Sequence, residues 1–273
     1  MFKYLKRCVA FSLLLVLIKT TSAQEQISEL PFNASELLHY DVFYNLGFIW
    51  INAATVDFEI DSASYENKHA LKLCSSGKSL DAYNWIMEVS GSYSSIVNSK
   101  NLKPLKHLRD TREDDFHLQN QYTFDHSDSV IYCEMEDSNT PIRFDTLELL
   151  PDAADLVATA YQIRSLNFND YRLHDSIPFK IVLGAEYHDI FIRFLGYDNC
   201  ETRNGNMYRC LKFSAVLAAG TIFEGEEEMI VWVTNDRNKV PVMVEAKILV
   251  GSVKASLNYT KGLKYPVEAR LTN

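Results

Sequence analysis

The sequence predicts a mainly β protein: an antiparallel curved sheet or open β-barrel, as one unit or as two β-rich halves, with one helix packed against it. Three observations lead there. The stretch Met229 to Val250 reads as two extended segments around a polar break, Thr234-Asn235-Asp236-Arg237-Asn238. After the break Val240, Val242, Val244, Ala246, Ile248 and Val250 share one parity while Lys239, Glu245 and Lys247 share the other, the period-two pattern of a half-buried strand. Most of the remaining chain alternates short extended runs with turn-rich polar spacers, as in meanders, sandwiches and barrels. One segment alone, Pro151 to Arg164, carries helical spacing.

In chain order, Leu38, Tyr40, Val42 and Tyr44 share a parity, and Asn45-Leu46-Gly47 can turn the chain into a second extended run, Phe48 to Ile60. Asp61 to Lys68 reads as a polar loop. His69 to Cys74 and Tyr83 to Val97 read as extended, and Arg109 to Asp115 as a charged, solvated loop. Gln119 to Phe124, Ser129 to Met135 and Pro141 to Phe144 follow as short extended pieces. In the helical segment Leu156, Ala160 and Ile163 recur on one face and Val157 with Tyr161 on another. Asp152 and Asp155 are placed in its first turn and Arg164 in its last, which suits the helix dipole. Six strands are expected beyond it: 177–183, 187–197, 207–217, 227–234, 239–249 and 252–260. Pro241 has no ladder donor, so its strand should present that position at an edge or a bulge.

The first residues have the layout of a secretory signal peptide: basic Lys3, Lys6 and Arg7, an apolar run Val9 to Ile18, and small Thr21-Ser22-Ala23 before Gln24. Residues 1–23 are therefore expected to be removed, leaving 24–273 as one exported β-rich domain, with 24–150 and 165–273 as halves joined by the helix at 151–164. The apolar run is short for a bilayer span, so no transmembrane anchor is expected after cleavage. Cys8 sits in the charged leader rather than after the apolar run, which argues against a lipoprotein. The full chain has a formal charge of −9; without Lys3, Lys6, Arg7 and Lys19 it reaches −13. Such a surface repels phosphate backbones, so nucleic acid is not an expected partner.

Cys74, Cys133, Cys200 and Cys210 remain after cleavage. Cys200 and Cys210 flank Asn204-Gly205-Asn206, a hairpin turn signal. A three-residue turn would set them opposite one another, making them a disulfide candidate, with buried free thiols as the alternative. Histidines show neither HxH nor HExxH spacing, and no GxSxG, GxxxxGK[ST] or GxGxxG occurs. No catalytic residue, metal ligand or cofactor is assigned. The clusters Glu224 to Glu228 and Asp110 to Asp115 lack calcium-loop spacing and read as solvated loops. The aromatic load, 15 Tyr, 15 Phe and 3 Trp, suits either a packed barrel core or an apolar pocket, and core is favoured. Four Asp-Ser/Thr-apolar triplets, beginning at Asp61, Asp128, Asp145 and Asp175, resemble O-glycan acceptors. Asn33-Ala34-Ser35 and Asn258-Tyr259-Thr260 match the N-linked pattern; such triplets arise often by chance, and loop and turn chemistry is the favoured reading of all six.

Several local patterns, in order, resemble a bacterial exported family, domain of unknown function 3108. They are Glu36-Leu37, Tyr40 and Gly47 near the start; Asp155, Tyr161 and Arg164 on the helix; and Trp232, Asp236, Pro241 and Val242, then Gly251, near the end. The chain departs from the pattern at Ala34-Ser35-Glu36, where glycine is expected before the acid. The resemblance implies an exported, β-rich, envelope-associated protein, periplasmic or otherwise extracytoplasmic, and assigns no activity. The architecture is similar to that of periplasmic lipoprotein carriers. The expected function is a non-catalytic binding or carrier protein for a lipid or other apolar ligand; the alternatives are an assembly factor contacting envelope proteins and a glycan hydrolase.

Overall fold

The structure is a computed structural model that describes residues 29–83, 88–217, 228–248 and 251–272. The expected signal peptide and the Glu224 to Glu227 part of the acidic cluster lie outside the described residues. The first half is a meander: β1 (Leu37–Leu46), β2 (Ile49–Tyr65), β3 (Lys68–Ser79), β4 (Val89–Asn98), β5 (Pro104–Glu113), β6 (Phe116–Asp125), β7 (Val130–Asp137) and β8 (Thr140–Glu148). A two-residue strand β9 (Ala153–Ala154) leads into the helix α1 (Leu156–Arg164). The second meander is β10 (Ser176–Leu183), β11 (Glu186–Glu201), β12 (Met207–Leu217), β13 (Glu228–Thr234), β14 (Pro241–Lys247) and β15 (Ser252–Lys261), closed by β16 (Arg270–Leu271). All six strands expected after the helix are present, within a few residues at each end.

The sixteen strands form one sheet in the order β8 to β1, then β15 down to β9, with β16 beside β12. Every pairing is antiparallel except the short β9–β10 contact. The chain's first and last long strands therefore join the two meanders through β1–β15. The sheet curves but is not closed: its ends approach through side chains, not through a ladder. Val182, Ala185 and Tyr187 from β10–β11 pack on Tyr122, Phe124, Ile131 and Cys133 of β6–β7. The Gly184 N–H donates to the Tyr122 hydroxyl at 2.8 Å across this seam.

Local expectations are corrected at three places. Arg109 to Asp115 is not a loop: residues to Glu113 belong to β5, because a strand whose inward positions are His107, Arg109 and Thr111 shows no apolar alternation. The stretch 61–68 is not a loop but the long hairpin of β2 and β3, which turns only at Glu66-Asn67, both with positive φ. The helix begins at Leu156, not Pro151. Asp155 is its N-cap, accepting from the backbone N–H groups of Val157 and Ala158, so Asp152 lies outside it. Its buried face carries Val157, Ala158, Tyr161 and Arg164, whereas Leu156 is exposed.

Candidate functional site

The inner face of the first meander can be followed in rows, because antiparallel register puts paired residues on the same face. The row nearest the helix is Ile60, Leu73, Ser95, His107, Tyr122 and Cys133. The next is Phe58, Ser75, Tyr93, Arg109 and Asn120. Beyond it come Val56, Gly77, Gly91 and Thr111, and then Ala54, Ser79 and Val89 with Glu113. Helix α1 covers the first row, its Val157, Ala158 and Tyr161 packing with Ile60, Leu73 and Val97. It does not reach the last two rows. Those rows carry Gly77, Gly91, Ala54 and Ser79, so little side-chain volume from the described residues fills the concavity.

The result is a groove of about 710 Å³ on the inner face of β1 to β5. This falls within the usual range for small-molecule sites, roughly 300–1,000 Å³. Val42, Tyr44, Ile51, Val56, Val89 and Tyr93 supply its apolar walls, and Arg109 and Glu113 its inward-row charges. The aromatic side chains divide between the two roles considered for them: Tyr44 and Tyr93 line the groove, while Phe32, Tyr40, Tyr122, Phe124, Phe168, Phe194 and Phe213 are core. Beside the groove, the tip of the β1–β2 hairpin holds Phe48 94 % exposed, followed by exposed Ile49 and Ile51.

Between groove and helix lies a buried polar cluster. The Ser95 hydroxyl donates to Asp155 Oδ2 at 2.6 Å. His107 Nδ1 lies 3.3 Å from Asp155 Oδ1, near enough for attraction when the ring is protonated, but not aligned as a hydrogen bond. The His107 ring stacks on Tyr122, centroids 5.4 Å apart. Serine, histidine and aspartate meet here in the wrong order for nucleophilic catalysis. Both Ser95 and His107 face the aspartate, and nothing pairs the histidine with the serine hydroxyl. Asp155 is fully buried and occupied in capping the helix, so its role is structural.

A second buried network involves most of the remaining motif positions. Arg164 clamps Glu36 in a bidentate pair, Nη1 to Oε1 at 2.5 Å and Nη2 to Oε2 at 3.1 Å. It also donates to the carbonyls of Lys239 and Asn238, both at 3.1 Å, and lies over the rings of Phe32 and Tyr161. Tyr40 donates its hydroxyl proton to the Pro241 carbonyl at 2.8 Å, and burial pushes that phenol well above its ordinary pKa. Asp236 accepts from the Thr234 hydroxyl and the Asn238 N–H, and with its other oxygen from the Ala269 N–H. Pro241 sits at the bulge where Trp232 pairs with Met243 but Val233 pairs with Pro241. These residues fasten the N-terminal segment, the helix and the β13–β14 turn together, and none lines the groove.

Two motif positions stand apart. Gly47 occupies the β1–β2 turn with φ +60°. Trp232 donates its indole N–H to Asp198 at 3.0 Å beneath the Lys212 ammonium. That indole bond, followed by Lys212, holds the Asp198 carboxyl below the usual range.

The cysteine geometry differs from the expectation of an opposed pair. The β11–β12 turn holds five residues, 202–206, rather than three, so Cys200 faces Tyr208 and Cys210 faces Asp198. Both are buried free thiols, and burial pushes each up to about 12. Among the described residues no group of three or more His, Cys, Asp or Glu side chains could hold a metal ion. Sequence reasoning missed Arg109 and the Gly77–Gly91 pair as site residues. Their signal, small residues and one cation at matching positions of neighbouring strands, exists only once the register is known.

No helix of the described residues is long and apolar enough to cross a membrane. No curated protein matches the chain. A solved structure described as a beta-barrel-like protein of domain of unknown function DUF1849, from Brucella abortus, superposes with a TM-score of 0.54 at 6 % identity. The match covers 84 % of this chain and 98 % of that one, and shows a shared fold. The model of the family described as protein of unknown function (DUF3108) matches residues 39–258, most of the chain: the chain belongs to the DUF3108 family.

Proposed function

We propose that this chain is an exported, non-catalytic binding or carrier protein that holds an apolar ligand in the groove of β1 to β5. The observation that carries this is the unfilled concavity of about 710 Å³ over Gly77 and Gly91, walled by aliphatic and aromatic side chains. The leader-like residues 1–23 support an extracytoplasmic location. Glycan hydrolysis gains no support: it needs two facing carboxylates, and Glu113 is the one acid among the described residues lining the groove. The test is solvent extraction and mass spectrometry of natively purified protein, alongside binding of the neutral dye Nile red. An Ala54→Trp variant, which plugs the groove, should lose both the co-purifying lipid and the dye. Equal binding by wild type and variant would place the ligand elsewhere or nowhere.

A second reading, assembly through protein contacts, has its own observation. Among the described residues edge strand β8 pairs on one side only, and it exposes Ile142 and Phe144, the latter 73 %. Co-purification of envelope proteins that is lost on charge substitution at Phe144 would favour it.

A further inference from the structure

Resting on the apolar-ligand reading, we propose that the groove takes a single-chain amphiphile with an anionic head group, a carboxylate or phosphate, which Arg109 receives. Arg109 lies on the inner face of β5, flanked across the ladder by Tyr93 and Asn120. It is half-buried at the end of the groove nearest the helix. Its side chain makes no hydrogen bond or ion pair with any described residue. Nε is buried without a partner, and the guanidinium rests over the Tyr93 ring 5.5 Å from the centroid. A partly desolvated cation with no counter-ion is costly, and the chain has carboxylates in excess, with a formal charge of −9. None is supplied here among the described residues: the neighbouring inward positions are His107 and Thr111, and Glu113 lies a further row away and is exposed. The buried arginine of helix α1, Arg164, is by contrast fully matched by Glu36 and two carbonyls. An anion brought by a ligand would complete Arg109 as Glu36 completes Arg164, and a guanidinium suits both carboxylate and phosphate.

The rest of the groove accommodates the chain of such a molecule. From Arg109 to Glu113 the strand advances about 13 Å, and β1 to β5 span about 19 Å across the ladder. Most of the inward side chains over that floor are small or apolar, Gly91, Gly77, Val56, Ala54 and Val42 among them, with Thr111 and Glu113 at its β5 margin. An alkyl chain starting at Arg109 would run over the glycine pair toward Tyr44 and Ile51, with the exposed Phe48 tip beyond. Glycine at 77 and 91 leaves the floor low; an added Cβ at Gly77 would come within 3.0 Å of Val56.

The experiment is displacement of Nile red from lipid-stripped protein by palmitate, hexadecyl phosphate and hexadecanol. At least one anion should displace the dye at about tenfold or more lower concentration than the alcohol. Arg109→Met should abolish that preference while leaving the alcohol unchanged, and Arg109→Lys should retain part of it. Preference for palmitate alone identifies a fatty-acid-like ligand, and preference for the phosphate alone a phospholipid-like head; either supports the proposal. Equal displacement by acids and alcohol in the wild type overturns the head-group assignment while the apolar groove stands. Failure of the dye and all three amphiphiles to bind overturns both. Should Arg109→Met not fold, Arg109→Gln and the wild-type comparison decide the matter.

Discussion

Removing Arg164 should be among the most damaging single changes available to this fold. Glu36 is 1 % exposed and Arg164 5 % exposed, and they are 128 residues apart in the chain. Arg164→Met keeps the aliphatic stem against Phe32 and Tyr161 but deletes the guanidinium. Glu36 is then left as a buried carboxylate without its two donors, and the carbonyls of Lys239 and Asn238 each lose one. Breaking one side of a buried pair costs about 3–5 kcal/mol, against a total stability on the order of 5–15 kcal/mol. Urea unfolding followed by tryptophan fluorescence should show the midpoint falling with an unchanged slope. The double variant Glu36→Met, Arg164→Met removes both charges together, so it should be less damaged than the two single losses summed, with a coupling of about 2 kcal/mol or more. A loss below about 1 kcal/mol for Arg164→Met, or additive single losses, would refute the view that this pair locks the N-terminal segment to the helix.

Other expectations follow from particular geometry. Ser35 holds φ +78°, a conformation costing a non-glycine residue about 1–2 kcal/mol, so Ser35→Gly should raise stability by about 0.5–1 kcal/mol after its own chain-entropy cost, measured by thermal unfolding. Gly262 has φ +64° and an added Cβ would meet the Ser35 carbonyl oxygen at 2.1 Å, so Gly262→Ala should destabilise by about 2 kcal/mol or more in the same assay. Asp155→Ala removes the cap of α1 and the acceptor of Ser95, and should lower stability by at least about 1–2 kcal/mol. Burial pushes the Cys133 thiol up to about 11 and those of Cys200 and Cys210 up to about 12, so little thiolate forms in the folded state near pH 8. Maleimide should label these three slowly until urea is added, faster as pH rises, and without prior reduction. A requirement for reductant would reveal a bridge.

The glycine absent from Ala34-Ser35-Glu36 shows how much of the scaffold could be read from residues alone. The resemblance raised the expectation of glycine before the acid, and the backbone of Ser35 there adopts the left-handed conformation that glycine favours. Pro241 falls at a bulge, as a residue without a ladder donor must in such a strand. The six strands after the helix were legible because apolar periodicity and turn chemistry are local. By contrast, β5 carries its inward positions as histidine, arginine and threonine, so its period was invisible.

The sequence by itself thus determined a β-rich chain with one helix and the order of nearly all its elements, since these depend on residues a few positions apart. Only the tertiary structure decided that Glu36 meets Arg164, that the β11–β12 turn offsets the two cysteines, and that Gly77, Gly91 and Ala54 gather over one floor. Those outcomes depend on register between strands and on contacts across more than a hundred residues. A one-residue slip of any strand would send its side chains to the opposite face, and the hollow beside Arg109 with them.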